Sequence, residues 1–420
     1  MVTLPSPPPA TRVGGARLAG RTPPHILTLV ALVGLSTLSM NVFLPSLPAM
    51  ARWFEADYVL IQLSVGAYLG VNAVLQLVVG PLSDRYGRRP VILGGIALFM
   101  LATLGCLWAP TVEVFLAFRM AQAAIVTAMV LSRAVVRDLY PQDQAASMLG
   151  WVTMGMSVVP MVGPAIGGAL EASFGWQSNF WLLLGAGAGL WLLTYLDLGE
   201  TAPRAGGSFR NQVRQYPDLL TSRRFWGYCA ASAFASGAFF AYLGGAPFVG
   251  SEVYGLSPAE LGVFFGAPAP GYLVGNGLSG RFSKSVGIDR MILWGALGQV
   301  GGLATLLALT LAGLTSHWVF FGFITFVGLG NGLVIPNATA GMLSVKPHLA
   351  GTASGLGGAM MIGGGAALSA LAGWLLGFGG GALPLVALMV ASGLASVAAI
   401  ALTIRRNRRL SRAAGSATQG

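Results

Sequence analysis

Long apolar runs alternate with short polar stretches along this chain. A helix needs ~20 mostly apolar residues to cross the hydrocarbon core of a bilayer. Twelve runs meet that length, at about 26–47, 58–80, 91–109, 112–134, 146–170 and 178–198, then 225–249, 259–280, 291–312, 316–340, 349–374 and 382–404. They are numbered here as spans 1–12. Backbone polar groups in lipid must be satisfied within the segment, so each run predicts an α-helix. The predicted fold class is an all-α polytopic membrane protein.

Composition sharpens this. Hydrophobic residues make up 55% of the 420 and charged residues only 9%, with a mean hydropathy of +0.73. Soluble domains carry about 25% charged residues, so a soluble enzyme, a disordered chain and a secreted disulfide scaffold are all excluded. The 61 glycines fit helices in close contact, and the small-residue run at 355–373 reads as a packing seam. Cys106 and Cys229 lie inside apolar runs and read as buried free thiols.

The net charge of +11 would suggest nucleic acid on a soluble protein. Here the basic residues sit between the spans. With both termini and the even-numbered loops on one side, that side holds 21 of the 24 Lys and Arg, and the other holds only Arg52. The positive-inside rule makes the first side cytoplasmic and removes any need for a nucleic-acid partner. The division that follows is a disordered tail (1–25), a six-helix bundle (26–198), a cytoplasmic linker (199–224), a second bundle (225–404) and a basic tail (405–420). The N-terminal tail is too long for a signal-peptide n-region.

The two halves repeat. "GPLSDRYGRRPVIL" follows span 2 and "GNGLSGRFSKSVGIDRMIL" follows span 8. Aligning their L-S-x-R starts at Leu82 and Leu278 gives a spacing of 196 residues, the mark of a parallel repeat around a central cavity. In the first loop Gly80 and Gly87 permit tight backbone. Asp84 can accept hydrogen bonds from a helix N-terminus, and Arg85, Arg88 and Arg89 can pair with acids such as Asp138 or with lipid phosphate. One reading is a positive-inside anchor, the other a conformational latch.

No carboxylate falls at mid-membrane depth on this map. Arg119 does, some seven residues into span 4. A guanidinium there must snorkel to an interface or face a cavity or partner such as Asn41, Gln122 or an anionic substrate group. Tyr68, Asn72 and Gln76 share one face of span 2 at a spacing of four; that face lines a cavity or bonds a neighbouring helix. In span 7, Phe234, Phe239, Phe240 and Tyr242 either line an apolar pocket or pack against helices and lipid. Asn331 and Asn337 flank Pro336 in span 10, at a broken helix or a packing kink.

"GPLSDRYGRRP", "FRMAQAAIVTAMVLSRAVVRDLY" (118–140) and "GMSVVPMVGPAIGG" (155–168) resemble signatures of the major facilitator superfamily, specifically its twelve-span drug:proton antiporters. "SMNVFLPSLP", "GGAPFVG" and "AGTASGL" resemble the bicyclomycin/chloramphenicol-resistance branch. The resemblance covers about 26–404. It implies a major facilitator fold of two six-helix bundles around a central cavity, working as a monomer. It implies export of small organic compounds across a bacterial inner membrane in exchange for protons, with no cofactor and no metal. It places Gly163, Pro164, Gly167 and Gly168 in the antiporter motif of span 5, and Arg119 at the span 4 arginine. Two positions depart. Ala123 stands where the pattern often has Gly. Asn41 stands where the branch usually carries Asp, and an amide cannot titrate. Coupling is then absent, or runs through Glu113 or Glu171 near span ends, or uses the membrane potential on a charged substrate. An uptake carrier on the same fold and a non-transporting sensor are the competing functions. With no G-x-x-x-x-G-K-[ST] loop and no H-E-x-x-H, an ATP-driven pump and a membrane zinc protease are disfavoured.

Overall fold

A computed structural model describes residues 24–139, 159, 162–201, 220–346 and 350–417. Among the described residues, ten helices are long and apolar enough to cross a membrane. They correspond to ten of the twelve spans. Span 8 falls short because its longer piece, Pro268–Val286, is rich in Gly and Ser and carries Asn276, Arg281 and Lys284; it is also divided, with a first piece at Pro258–Phe264. Pro268 lacks the amide hydrogen that a continuous helix would use there. Of span 5 the described part is a helix over 162–174; the rest of that run, and residues 202–219 of the linker, lie outside the described residues. Cys106 and Cys229 are buried and free.

Two helices depart from regular geometry where chemistry gathers. Span 1 is Ile26–Asn41, a 3₁₀ turn at Leu44–Ser46, then Leu47–Trp53. Pro45 and Pro48 each remove a backbone donor and explain the break. Span 4 is Val112–Gln122, a 3₁₀ turn at Ala123–Ile125, then Val126–Leu139. Span 12 runs Leu383–Ala417, so much of the segment expected as a basic tail (405–420) continues the helix. Arginines favour a helix interior and suit its negative C-terminal end.

The repeat is real, but its register differs from the one expected. Span 2 ends at Tyr86 and span 8 at Val286, and each is followed by a left-handed glycine, Gly87 (φ 97°) and Gly287 (φ 90°). Their amides donate to the carbonyls of Ser83 (2.9 Å) and Ser283 (3.0 Å). The spacing is therefore 200 residues, pairing Gly80-x-x-Ser83 with Gly280-x-x-Ser283, one helical turn from the L-S-x-R alignment. Backbone conformation sets this register; the Leu-Ser match does not. In it Asp84 corresponds to Lys284, so the two loops are not electrostatic copies.

The face of the bundle that carries Pro24 and the span 2–3 loop is called the basic face below, and the opposite one the far face. The halves meet along spans 2 and 11. At Gly66 a Cβ would lie 3.2 Å from the Ala370 side chain, and at Gly363 it would lie 3.8 Å from that of Ala73. That seam places small residues against small residues, as close helix contact requires.

Candidate functional site

Arg119 lies at the centre of the N-terminal half and is fully buried. Its Nε donates to the Ser64 carbonyl (3.2 Å), Nη1 to Gln122 Oε1 (2.7 Å) and to Ser39 Oγ (3.4 Å), and Nη2 to the Ser39 carbonyl (2.9 Å). The guanidinium also lies 3.9 Å from the Tyr68 ring centroid and 4.4 Å from that of Phe43. Gln122 extends the network to Thr103 of span 3 (2.8 Å). No carboxylate is among these contacts. Neutral acceptors and two aromatic faces satisfy the cation, so it keeps an uncompensated positive charge. The snorkelling reading is excluded. Tyr68, Arg119 and Gln122 form a sealed polar core in this conformation rather than the open cavity wall expected.

The other cavity candidates divide. Asn41 does not touch Arg119. Its Nδ2 donates to the Thr37 carbonyl (2.8 Å), and its buried Oδ1 has no partner among the described residues. Asn72 accepts from Gln76 Nε2 (2.8 Å), so the span 2 face splits between the arginine core and a local amide pair. Phe239 packs at a tilt against Phe240 and Tyr242, while Phe234 is 38% exposed. Neither joins the arginine core. In span 10 Asn337 bonds Ser279 (2.8 Å) and the Leu333 carbonyl (2.8 Å), a helix–helix contact.

On the far face the halves touch through a thin seam, and the span 5 motif builds part of it. A Cβ on Gly167 would lie 1.7 Å from the Val42 carbonyl of span 1, and one on Gly168 would lie 2.1 Å from the Pro258 carbonyl of span 8. Gly262 of span 8 returns the contact, 2.4 Å from the Pro164 carbonyl by the same construction. Gly163 faces Leu38 of span 1. The motif thus has two faces, Gly163/Gly167 on span 1 and Pro164/Gly168 on the other half. Nearby, Gln62 of span 2 donates to the Ser369 carbonyl of span 11 (2.5 Å) in a slot walled by Gly244 and Gly373. The Tyr58 hydroxyl donates to the Gly244 carbonyl (3.3 Å). An exposed Arg52–Glu252 pair spans 3.6 Å at the rim of a cleft of about 440 Å³. The sequence reading missed Gln62. Its spacing of four from Gly66, on a face separate from Tyr68, was the available signal.

On the basic face the loop residues form a network within one half. Arg88 pairs with Asp84 (2.5 Å) and Asp138 (3.0 Å) and also donates to Ser83. The expected role of Asp84 at a helix N-terminus belongs instead to Glu200, which accepts from the backbone amides of Arg88 (2.8 Å) and Arg89 (3.3 Å) at the start of span 3. A carboxylate there answers both the unpaired amides and the helix dipole. Arg89 donates to the Tyr195 carbonyl (2.9 Å) and lies over the Tyr195 ring. Arg85 lies over Tyr86. Gly80 has open space where a side chain would extend, so packing does not require glycine there. Gly87 is required: its φ is 97°, and a Cβ would lie 2.4 Å from Glu200 Oε2. Gly87→Ala should therefore cost on the order of 1–3 kcal/mol, read as a lower midpoint of thermal unfolding in detergent.

The fold and these sites agree with comparisons to known proteins. The family model for the Major Facilitator Superfamily matches residues 29–370. The chain belongs to that superfamily. Multidrug resistance protein D of Escherichia coli is 31% identical over 356 residues, covering 82% of this chain and 88% of the relative. The chloramphenicol resistance protein of Pseudomonas aeruginosa is 30% identical over 345 residues, covering 78% and 79%. These relatives place the chain in the bicyclomycin/chloramphenicol-resistance branch. A solved bacterial homologue of the human lysosomal transporter Spinster, inward-facing and occupied, superposes with a TM-score of 0.71 at 17% identity, covering 91% of this chain and 96% of that one. At that identity the likeness establishes the fold. A major facilitator protein is a multi-span membrane transporter acting on small molecules rather than a catalyst.

Proposed function

We propose that this protein exports small organic compounds, antibiotics of the chloramphenicol type among them, across a bacterial inner membrane by alternating access. The observation that carries the reading is the far-face seam. Two halves are held there by glycine contacts and a few polar bonds, beside a buried polar core, so the contact can part without unfolding either half. The resistance relatives supply the substrate class. In this reading the basic face is cytoplasmic, the Asp84–Arg88–Asp138 network is the latch on that side, and the protein works as a monomer. The disposition of basic residues supports the orientation: reporter fusions after residues 215 and 410 should report cytoplasm, and one at 254 periplasm.

Coupling to protons is part of the proposal. Its supports are the antiporter motif and the branch. Asn41 opposes it and favours a second reading, an uncoupled carrier that equilibrates its substrate. Everted membrane vesicles separate the two. Under the first reading, accumulation of labelled chloramphenicol rises with an imposed inside-acid pH gradient and falls when the gradient is dissipated. Protein-dependent equilibration of the label, without accumulation and indifferent to the gradient, leaves the uncoupled carrier. No accumulation or exchange of any tested antibiotic removes the export reading.

A further inference from the structure

Glu171 has no role in the arginine core or in the basic-face network, yet it is only 9% exposed. It lies on the 162–174 helix, four residues from Gly167 and three from Gly168. It therefore continues the helical side that meets span 1 and the first piece of span 8. Its Oε2 is buried and has no hydrogen-bond partner among the described residues. The carboxyl group lies against the Ser46 hydroxyl, in the broken part of span 1, and within the field of Arg52. Ser46 itself accepts from Asn179 (2.9 Å). Glu113, the other acid considered for coupling, is fully exposed.

A half-satisfied carboxylate in a closed seam is stable when neutral and costly when charged. Parting the halves would give Oε2 water. We infer that Glu171 is a proton-binding site governing the far-face seam: the protonated acid favours closure and the carboxylate favours opening. The charged and titratable neighbours do not do this instead. Arg52 is exposed and paired with Glu252. Across the seam, Glu260 is fully exposed and caps its own helix through Ser257, within the field of His317. Because the seam seals Glu171 from the basic face, the site senses protons from the far side. It gates access and does not carry the proton through.

The inference rests on the alternating-access reading only in requiring that the far face open. It is tested without substrate. Ala56 lines the cleft, and Ala56→Cys in intact cells reports its accessibility to an impermeant maleimide, normalised to the denatured protein at each pH. Labelling should rise severalfold from about pH 5.5 to about pH 8.5. Adding Glu171→Gln should hold it low throughout, whereas adding His317→Gln should leave the rise intact. A Glu171→Gln variant that keeps the parent profile, or is labelled strongly at every pH, overturns the inference, as does loss of the rise in the His317→Gln variant. Should Glu171→Gln fail to insert, Glu171→Asp decides: the rise is kept with a displaced midpoint, and an unmoved midpoint overturns it. A normal pH response with no drug transport would count against export and leave this inference standing.

Discussion

Replacing Arg119 by alanine is expected to reduce transport at least ~100-fold, the equivalent of about 2.7 kcal/mol, with the protein still inserted. The guanidinium joins spans 1, 2 and 4 through Ser39, Ser64 and Gln122, and its two ring contacts fix Phe43 and Tyr68. Hydrogen bonds to a charged group contribute roughly 1.5–3 kcal/mol each, and removing the cation leaves buried acceptors unpaired. Lysine should not rescue. An ammonium group cannot present a planar fork to Ser39, Ser64 and Gln122 while stacking between two rings. Gln122→Ala should cost less, because the cation retains its two backbone carbonyls. Initial transport rates normalised to membrane-inserted protein check this order. Rates for Arg119→Lys equal to the parent would reduce the core to a charge requirement.

A valine at Gly168 is expected to abolish turnover by preventing the far face from closing. Even the first added carbon would lie 2.1 Å from the Pro258 carbonyl, and the neighbour is backbone that cannot rotate away. A branched side chain must push span 8 off span 5, and with it the seam at Gly262 and Pro164. Each half should still fold, since the clash lies between halves. The expected signature is therefore a full inserted yield, loss of transport, and strong labelling of a cysteine at Ala56 whatever the pH. At Gly70, where nothing lies within 4 Å of an added Cβ, alanine should leave transport unchanged, which controls for glycine substitution in general.

How much of this was legible depends on what each feature rests on. Long apolar runs determine helices by solvation alone, so most spans are found within a few residues. Arg119 and Gln122 were legible for the same reason: a charged or amide group at mid-membrane depth must find a partner. Which partner was not legible. Arg119 reaches Ser39 and Ser64 rather than Asn41, because which face of span 1 meets span 4 is decided only once the helices pack. Glu200 was hidden for a similar reason. It sits in polar sequence 112 residues from Arg88, and only packing brings it to the first turn of span 3. The repeat shows the opposite failure. A Leu-Ser match set the wrong register, whereas the left-handed glycines were present in the sequence and carried the better signal. The role of the span 7 aromatics was not legible, because apolar rings look alike whether they face a ligand or one another.

The central claim is that two halves alternate access to a small molecule around a seam that parts and closes. Counterflow tests it without depending on how, or whether, protons couple. Purified protein is reconstituted into liposomes loaded with unlabelled chloramphenicol, and these are diluted into a trace of the labelled compound. The account predicts a transient labelled overshoot in the parent, absent from Arg119→Ala and Gly168→Val. No overshoot in the parent across a panel of amphipathic antibiotics, or an overshoot undiminished by valine at Gly168, would contradict it.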